Sequence, residues 1–277
     1  MNIAPKKETI ILKIGGSVIT HKHRTGVFIR HKLLIRIARE IHSVLIEHPN
    51  IQLLLIHGAG AGGHQLAKQY QLSSGTGNDA RKWHGSFLIH QANQRLNLAI
   101  AEIFVAENIR LVPVHTASVI IQTHGNITSF DQSILNETLR ANCLPILYGE
   151  MVFDTTLGMS ICSGDAIATF LADIYHATRI LYASDVDGIF DKDPHLHTDA
   201  RHIPHISIST LLADTTISLS GSHHIDVTGG IRNKITAIYG NPIPKSLQEI
   251  VIFNGLKSET FRHVLSGKPT GTSITIK

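Results

Sequence analysis

Three times along this chain a short apolar run stops at a glycine turn. Thr9 to Ile14 (TIILKI) runs into Gly15-Gly16-Ser17, Ile51 to Ile56 into Gly58-Ala59-Gly60, and Arg179 to Ala183 into Asp185-Val186-Asp187-Gly188. Short apolar runs bounded by glycine suit buried strands. Helical periodicity fills the intervals. From Ile29 to Ile46 the apolar positions Leu33, Leu34, Ile37, Ile41, Val44 and Leu45 share one face of an amphipathic helix. A helix is predicted to begin near Gln65, after the glycine-rich stretch His57 to His64, and further helices span Trp83 to Glu107, Asp165 to Tyr175 and a segment after Gly230. Arg110 to Val114 and Leu144 to Tyr148 read as strands, with a hairpin after Gly149. Alternating strands and helices predict an α/β fold, a mainly parallel sheet sandwiched between helices. Residues 1–277 then form a single domain with a soft lobe boundary near residue 150.

Composition narrows the function. With 277 residues, 43% of them hydrophobic, the chain can bury a large core without staples. Its two cysteines, Cys143 and Cys162, lack zinc-type spacing, which fits a reducing cytoplasm. The start, MNIAPKKET, lacks the apolar core of a secretory signal, and no apolar run approaches the about 18 residues of a membrane span. No membrane association is expected. The net charge of +4 is spread along the chain and aromatics make up 5%, so no nucleic-acid partner is expected; a small polyanion fits better. Histidines are abundant, but the pairs His21/His23, His195/His197 and His223/His224 do not have helical i,i+4 spacing with an accompanying Glu. No dedicated protein metal site is expected.

Glycine turns after strands let backbone N–H groups approach phosphate oxygens, and a following helix N-terminus adds favourable dipole charge. Neither a Walker A nor a Rossmann fingerprint is present. Lys13 is the pointed residue, because an ammonium closing an apolar strand is costly unless an anion lies nearby. Lys22 and Lys234 also adjoin turn segments.

Taken together, ILKIGGSVITHK (Ile11 to Lys22), HGAGAGGH (His57 to His64), SGDAIATFLA (Ser163 to Ala172), SDVDGIFDKDP (Ser184 to Pro194) and DVTGGIRNK (Asp226 to Lys234) resemble, in order, the motifs of the amino-acid kinase family. Within it they are most similar to the isopentenyl phosphate kinases. The resemblance spans nearly the whole chain, including the helix with His90 and Asn97 and the final Gly271-Thr272. It implies phosphorylation of a small phosphate monoester by ATP with Mg²⁺, with isopentenyl phosphate the leading acceptor, in a cytoplasmic homodimer serving isoprenoid biosynthesis. The half before residue 150 would be the acceptor side and the half after it the nucleotide side.

The resemblance also distributes roles. Lys13, Gly15, Gly16 and Ser17 would face the ATP phosphates, Gly60 would lie between nucleotide and acceptor, and Lys234 would hold the β/γ end. Lys22 joins the catalytic set. Ser184, Asp185 and Gly188, with Asp193 nearby, match the nucleotide loop. Asp165 matches the carboxylate that positions the catalytic lysines. His64 matches the histidine on the acceptor phosphate, with Ala59, Gly60 and Gly164 as further acceptor contacts. Some positions depart from the family pattern: Ala59, Ala61 and Gly62 replace Gly, Ser and Phe in the acceptor loop, His21 replaces an aspartate and Ala166 an acidic residue. Fosfomycin kinases carry Ala at the position of Ala61, so a phosphonate kinase is the alternative. A non-catalytic ligand-binding member of the fold is another, opposed by the joint presence of Lys13, Asp165 and Lys234.

Overall fold

The computed structural model describes residues 7–21, 26, 28–192, 194, 197–213 and 243–276. Strands β1 (Glu8–Ile14), β2 (Ile51–His57) and β3 (Leu111–Pro113) belong to the main sheet, β4 (Ile120–Thr123) and β5 (Asn126–Phe130) to a second one. Then β6 (Leu144–Tyr148) returns to the main sheet, and β7 (Glu150–Asp154) and β8 (Gly158–Cys162) complete the second. The remaining strands are β9 (Arg179–Ser184), the small pair β10 (Ile189–Phe190) and β11 (His202–Ile203), then β12 (His205–Ser207), β13 (Glu249–Asn254) and β14 (Thr272–Thr275).

The main sheet has the order β12-β14-β13-β9-β1-β2-β6-β3. Every adjacent pair in it is parallel except β13 with β14. The two sides of residue 150 thus contribute to one continuous sheet, joined where β1 pairs with β9. The smaller sheet, β5-β4-β7-β8, contains the antiparallel hairpin expected after Gly149. Its strand β4 is short and β5 is largely exposed, so the sequence carries little strand alternation there.

Helices cover both faces. On one lie α1 (Gly16–Ile19) and α2 (His31–Glu47); α3 (Gly60–Gln69) leads from β2 to α4 (Ala80–Ala106). Ile10, Leu12 and Ile14 of β1 pack with Leu34, Ile37 and Ile41 of α2 and with Leu96, Ile100 and Phe104 of α4. Alternation sends Ile11 to the opposite core, with Ile167 and Leu171. That side carries α5 (Thr116–Val119), α6 (Ser133–Arg140), α7 (Gly164–Ile174) and α8 (Ile208–Ala213). The helix Thr260–Leu265 is pinned to α2, where the buried Glu40 carboxylate accepts bonds from the N–H groups of Glu259 and Phe261, both at 3.0 Å.

One element begins earlier than its sequence suggests. Helix α3 starts at Gly60, so the stretch read as a glycine loop up to His64 is largely the helix's first turns. Glycine disfavours helices intrinsically, but here close packing against Gly16 and Asn93 supplies the compensation. His64 therefore sits inside the helix, with its side chain on a helical face. The segment after Gly230 lies outside the described residues.

Candidate active site

Parallel pairing brings the glycine turns to one edge. Ile14 is level with His57 and with Ala183, and His57 is level with Tyr148, so the turns after β1, β2, β6 and β9 leave the sheet side by side. Ligands of open α/β sheets bind at such carboxyl ends. The turns are in direct backbone contact. A Cβ added to Gly16 would lie 2.8 Å from both N and Cα of Gly60, and one on Gly58 would lie 2.9 Å from the Gly16 nitrogen. Thr20 ties them further, its hydroxyl donating to Gly16 O at 2.8 Å and accepting from Ala61 N at 3.0 Å.

Lys13 crosses beneath this junction. Its Nζ lies 2.9 Å from Oδ1 of Asp165, and both side chains are over nine-tenths buried. The strand's alternation aims Lys13 at α7, and Asp165 stands in that helix's first turn, behind the Ser163 cap whose Oγ accepts from Ala166 N at 3.1 Å. Gly164 leaves room for the lysine stem: a Cβ there would lie 3.3 Å from Lys13 Cε. A buried ion pair alone is weak evidence of stabilisation, but it fixes an ammonium at a defined point.

On one side of the junction is a cavity of about 280 Å³ whose lining includes Lys13, Gly16, Ala59, His64, Gly164 and Asp165. Its apolar part comes from Ala67, Ile89, Met151 and Ile161. Cys162 also reaches it, yet burial pushes its thiol up to about 12, so it stays protonated and is a poor nucleophile. On the other side of the junction Gly15 N donates to Ala183 O at 2.9 Å, and the Ser17 hydroxyl donates to Asp185 Oδ1 at 3.0 Å. Ser184 O accepts from Gly255 N at 2.8 Å. Gly188, at φ +146°, packs against Thr272, where a Cβ would lie 2.3 Å from the hydroxyl oxygen. The structure thus gathers most of the expected site residues; Lys22, Asp193 and Lys234 lie outside the described residues.

Several polar residues around the site are given no role by the sequence, although His57 and Asn97 fall within the stretches that carry the resemblance. His57 is fully buried, hydrogen-bonded through Nδ1 to Gly58 O at 2.9 Å and through Nε2 to the Asn97 amide at 3.1 Å, and stacked on Tyr148. Burial lowers its pKa to about 4, with the Lys13 charge acting in the same direction and the Gly58 bond against them. The ring is neutral at neutral pH, so Nδ1–H donates and Nε2 accepts. One helical turn away, the Asn93 amide donates to Gly149 O and to Glu150 Oε1, both at 3.1 Å. A signal existed: His57 closes an apolar strand as Lys13 does, and Asn93 and Asn97 interrupt the buried face of α4 at i,i+4 spacing. The long α4 segment also divides differently from its bulk. Ile89 and Asn93 line the cavity, whereas Phe87 is half exposed and Leu88 borders a separate hollow with Gly62 and Gln65.

Known proteins resemble this chain over nearly its whole length. The isopentenyl phosphate kinase of Methanocaldococcus jannaschii is 35% identical over 270 residues, covering 95% of this chain and 97% of its own. That of Methanothermobacter thermautotrophicus is 32% identical, covering 97% of this chain and 99% of its own. A crystal structure of an isopentenyl phosphate kinase matches 97% of this chain and 100% of that chain with a TM-score of 0.79 at 28% identity. The sequence profile of the amino acid kinase family matches residues 8–254, and the chain belongs to that family.

Proposed function

We propose that this chain transfers the γ-phosphoryl group of MgATP to isopentenyl phosphate, giving isopentenyl diphosphate and ADP. The observation that carries the reading is the Lys13–Asp165 pair, held where the glycine turns meet a cavity with His64 on its wall and an apolar end. An oxygen of the acceptor phosphate, mostly dianionic at neutral pH, attacks the γ-phosphorus. The bond to the β,γ-bridging oxygen breaks, and ADP leaves with its electron pair. No strong general base is needed; the task is to hold two polyanions together and stabilise charge on the transferring group. Lys13 supplies a fixed positive charge, Asp165 positions it, and backbone N–H groups of the turns complete the cradle. Mg²⁺, entering with the nucleotide, would neutralise part of the charge on the phosphates. The same reading assigns Lys22 and Lys234 to phosphate binding, Asp193 to the nucleotide loop, and the halves before and after residue 150 to acceptor and nucleotide.

Ala67, Ile89, Met151 and Ile161 suit a branched hydrocarbon tail. Of the substitutions in the acceptor loop, only Ala59 lines the cavity; Ala61 is bound through its N–H to Thr20 and Gly62 borders the separate hollow. The replacements at Ala61 and Gly62 therefore weigh little against a prenyl phosphate. Phe87, Leu98 and Val105 are exposed along one stripe of α4, which supports a homodimer packed through that helix. Among the described residues no helix is long and apolar enough to cross a membrane, and a cytoplasmic location belongs to the same proposal.

Measuring ADP release with isopentenyl phosphate, dimethylallyl phosphate, fosfomycin and acetylglutamate tests the reading. The prenyl phosphates should be turned over best; a preference for fosfomycin or acetylglutamate overturns it. His64 sharpens the assignment. If it grips the acceptor phosphate as a donor, His64→Gln retains part of the activity and His64→Ala loses about tenfold or more in kcat/KM, with ATP affinity unchanged in both. Equal loss in the two variants would instead indicate a required proton acceptor.

A further inference from the structure

Behind the acceptor cavity, three chain segments bring metal-ligating atoms together. His90 comes from α4, His115 from the turn after β3, and Glu150 from the start of β7. Their nearest donor atoms all lie within 4.8 Å of one another. His90 Nδ1 is 3.3 Å from Glu150 Oε2, and His115 Nε2 is 4.0 Å from the same oxygen.

The carboxylate is the decisive group. The Glu150 side chain has 0% exposure. Its Oε1 accepts from Asn93 and from Met151 N, at 3.1 and 2.8 Å, but Oε2 has no hydrogen-bond partner, and neither has His90 Nδ1. A buried carboxylate oxygen without a donor is costly, and among the described residues the side chains in ion-pair range of it are the two imidazoles, with no lysine or arginine. A cation between the three atoms would satisfy all of them.

We propose that His90, His115 and Glu150 form a binding site for a Zn²⁺-class divalent ion, a site distinct from MgATP. Two imidazoles and one carboxylate suit a borderline ion such as Zn²⁺ better than Mg²⁺ or Ca²⁺, which favour oxygen-only shells. Bond lengths of about 2.0–2.2 Å put neighbouring donors of a tetrahedral zinc about 3.3 Å apart, so one edge is already formed and His115 has to close by about 1 Å. The surroundings orient it. Ser118 Oγ lies 3.0 Å from His115 Nδ1, so a proton there leaves the Nε2 lone pair facing the cluster. That lone pair now meets the Gln94 amide at 3.1 Å. Gln94 follows His90 by one helical turn, and rotating its amide presents the oxygen as a fourth donor. His90 and His115 are 17% and 31% exposed, which leaves a path from solvent. Bound there, the ion would tie α4 to the strand that carries Glu150 and Met151, and so brace the cavity's inner wall.

Tag-free protein, stripped with a chelator and dialysed, tests this with Zn²⁺ by calorimetry and Co²⁺ by absorption. The expected result is one ion per chain, a tetrahedral Co²⁺ spectrum and a Tm raised by Zn²⁺. His90→Ala and His115→Ala should each weaken binding by at least about 100-fold and abolish the Tm shift, with circular dichroism confirming that each variant is folded. Gln94→Ala should weaken it less. Should either histidine variant misfold, the milder His115→Gln replaces it. The chain has 19 histidines, so binding that survives both variants belongs elsewhere and overturns the assignment. Absence of binding overturns it too, leaving a histidine–carboxylate contact without metal. None of these readouts depends on which acceptor the enzyme uses.

Discussion

The two sides of the reaction centre are built from different materials. Its floor is backbone against backbone: Gly16 touches Gly60 and Gly58 touches Gly16, at separations that leave no room for a single methyl group. Its inner wall is side chain against side chain: Asn93 and Glu150, bonded to each other, line the cavity, and His57 and Asn97 form a second, buried pair next to them, with His57 and Asn93 also bonded to the turns. A floor of this kind tolerates little change, and on the proposed reading it is what the phosphates rest on. A wall of side chains can be altered piece by piece, which is where acceptor preference can be tuned.

The largest expected effect falls on the charge at the junction. Lys13→Ala should lower kcat by about 100- to 1000-fold, the scale for one preorganised charge stabiliser. It also takes from Asp165 the ammonium 2.9 Å away, so stability in urea should fall by up to about 3 kcal/mol. Wild-type turnover at saturating ATP would remove Lys13 from the mechanism.

Next comes the floor itself. Gly16→Ala forces its methyl toward the Gly60 backbone, 2.8 Å away, and the turns must separate. A displacement of about 1 Å between bound reactants can cost about 100-fold in rate. Both substrates should be affected, because the floor serves both. A defect confined to the acceptor KM would mean that the floor and wall are less separate than their construction suggests.

His57 tests the wall through pH. Its folded-state pKa of about 4 lies below the ordinary 6.5, so below 6.5 the unfolded chain takes up the proton more readily than the native one. Its contribution to stability is therefore fully present above pH 6.5 and is lost as pH falls toward 4, by at most about 1.4 kcal/mol per pH unit. In His57→Gln, which does not titrate, this component is missing, so the difference between the two stability–pH curves should consist of it, holding steady above pH 6.5 and shifting as pH falls toward 4. Parallel curves would show that the ring exchanges protons as readily in the native state as in the unfolded chain.

The floor was also the more legible half. An apolar run that stops at glycine announces both strand and turn, so β1, β2, β6 and β9 and their turns are readable, and Lys13 stands out because a charge ends a buried run. The wall depends on contacts between residues far apart in the chain: Asn93 with Glu150, Asn97 with His57, His90 with His115. No local period encodes them. The second sheet was obscure for a related reason, since β5 is mostly exposed and β4 is short, leaving little hydrophobic alternation. Helix α3 was misplaced at its start because the glycines that allow close packing also resemble a loop.

The smallest effect separates a residue that lines the wall from one that merely lies on the same helix. Bulk alone would nominate Phe87 and Leu88 as limits on acceptor tail length. The structure instead lines the cavity with Ile89, Met151 and Ile161, while Phe87 is 50% exposed and Leu88 borders the other hollow. Ile161 is the better site for a test, because it is less deeply buried than Met151 and its truncation should leave the fold intact. Removing its methylene and two methyl groups lengthens the apolar end, and each methylene accommodated is worth about 1–3 kcal/mol of discrimination at most. Ile161→Ala should therefore raise the kcat/KM of a longer prenyl phosphate, relative to isopentenyl phosphate, by about tenfold. Phe87→Ala should leave that ratio unchanged. If the two variants exchange behaviours, the tail runs past α4 on its exposed side, and the acceptor does not enter the cavity beside Lys13.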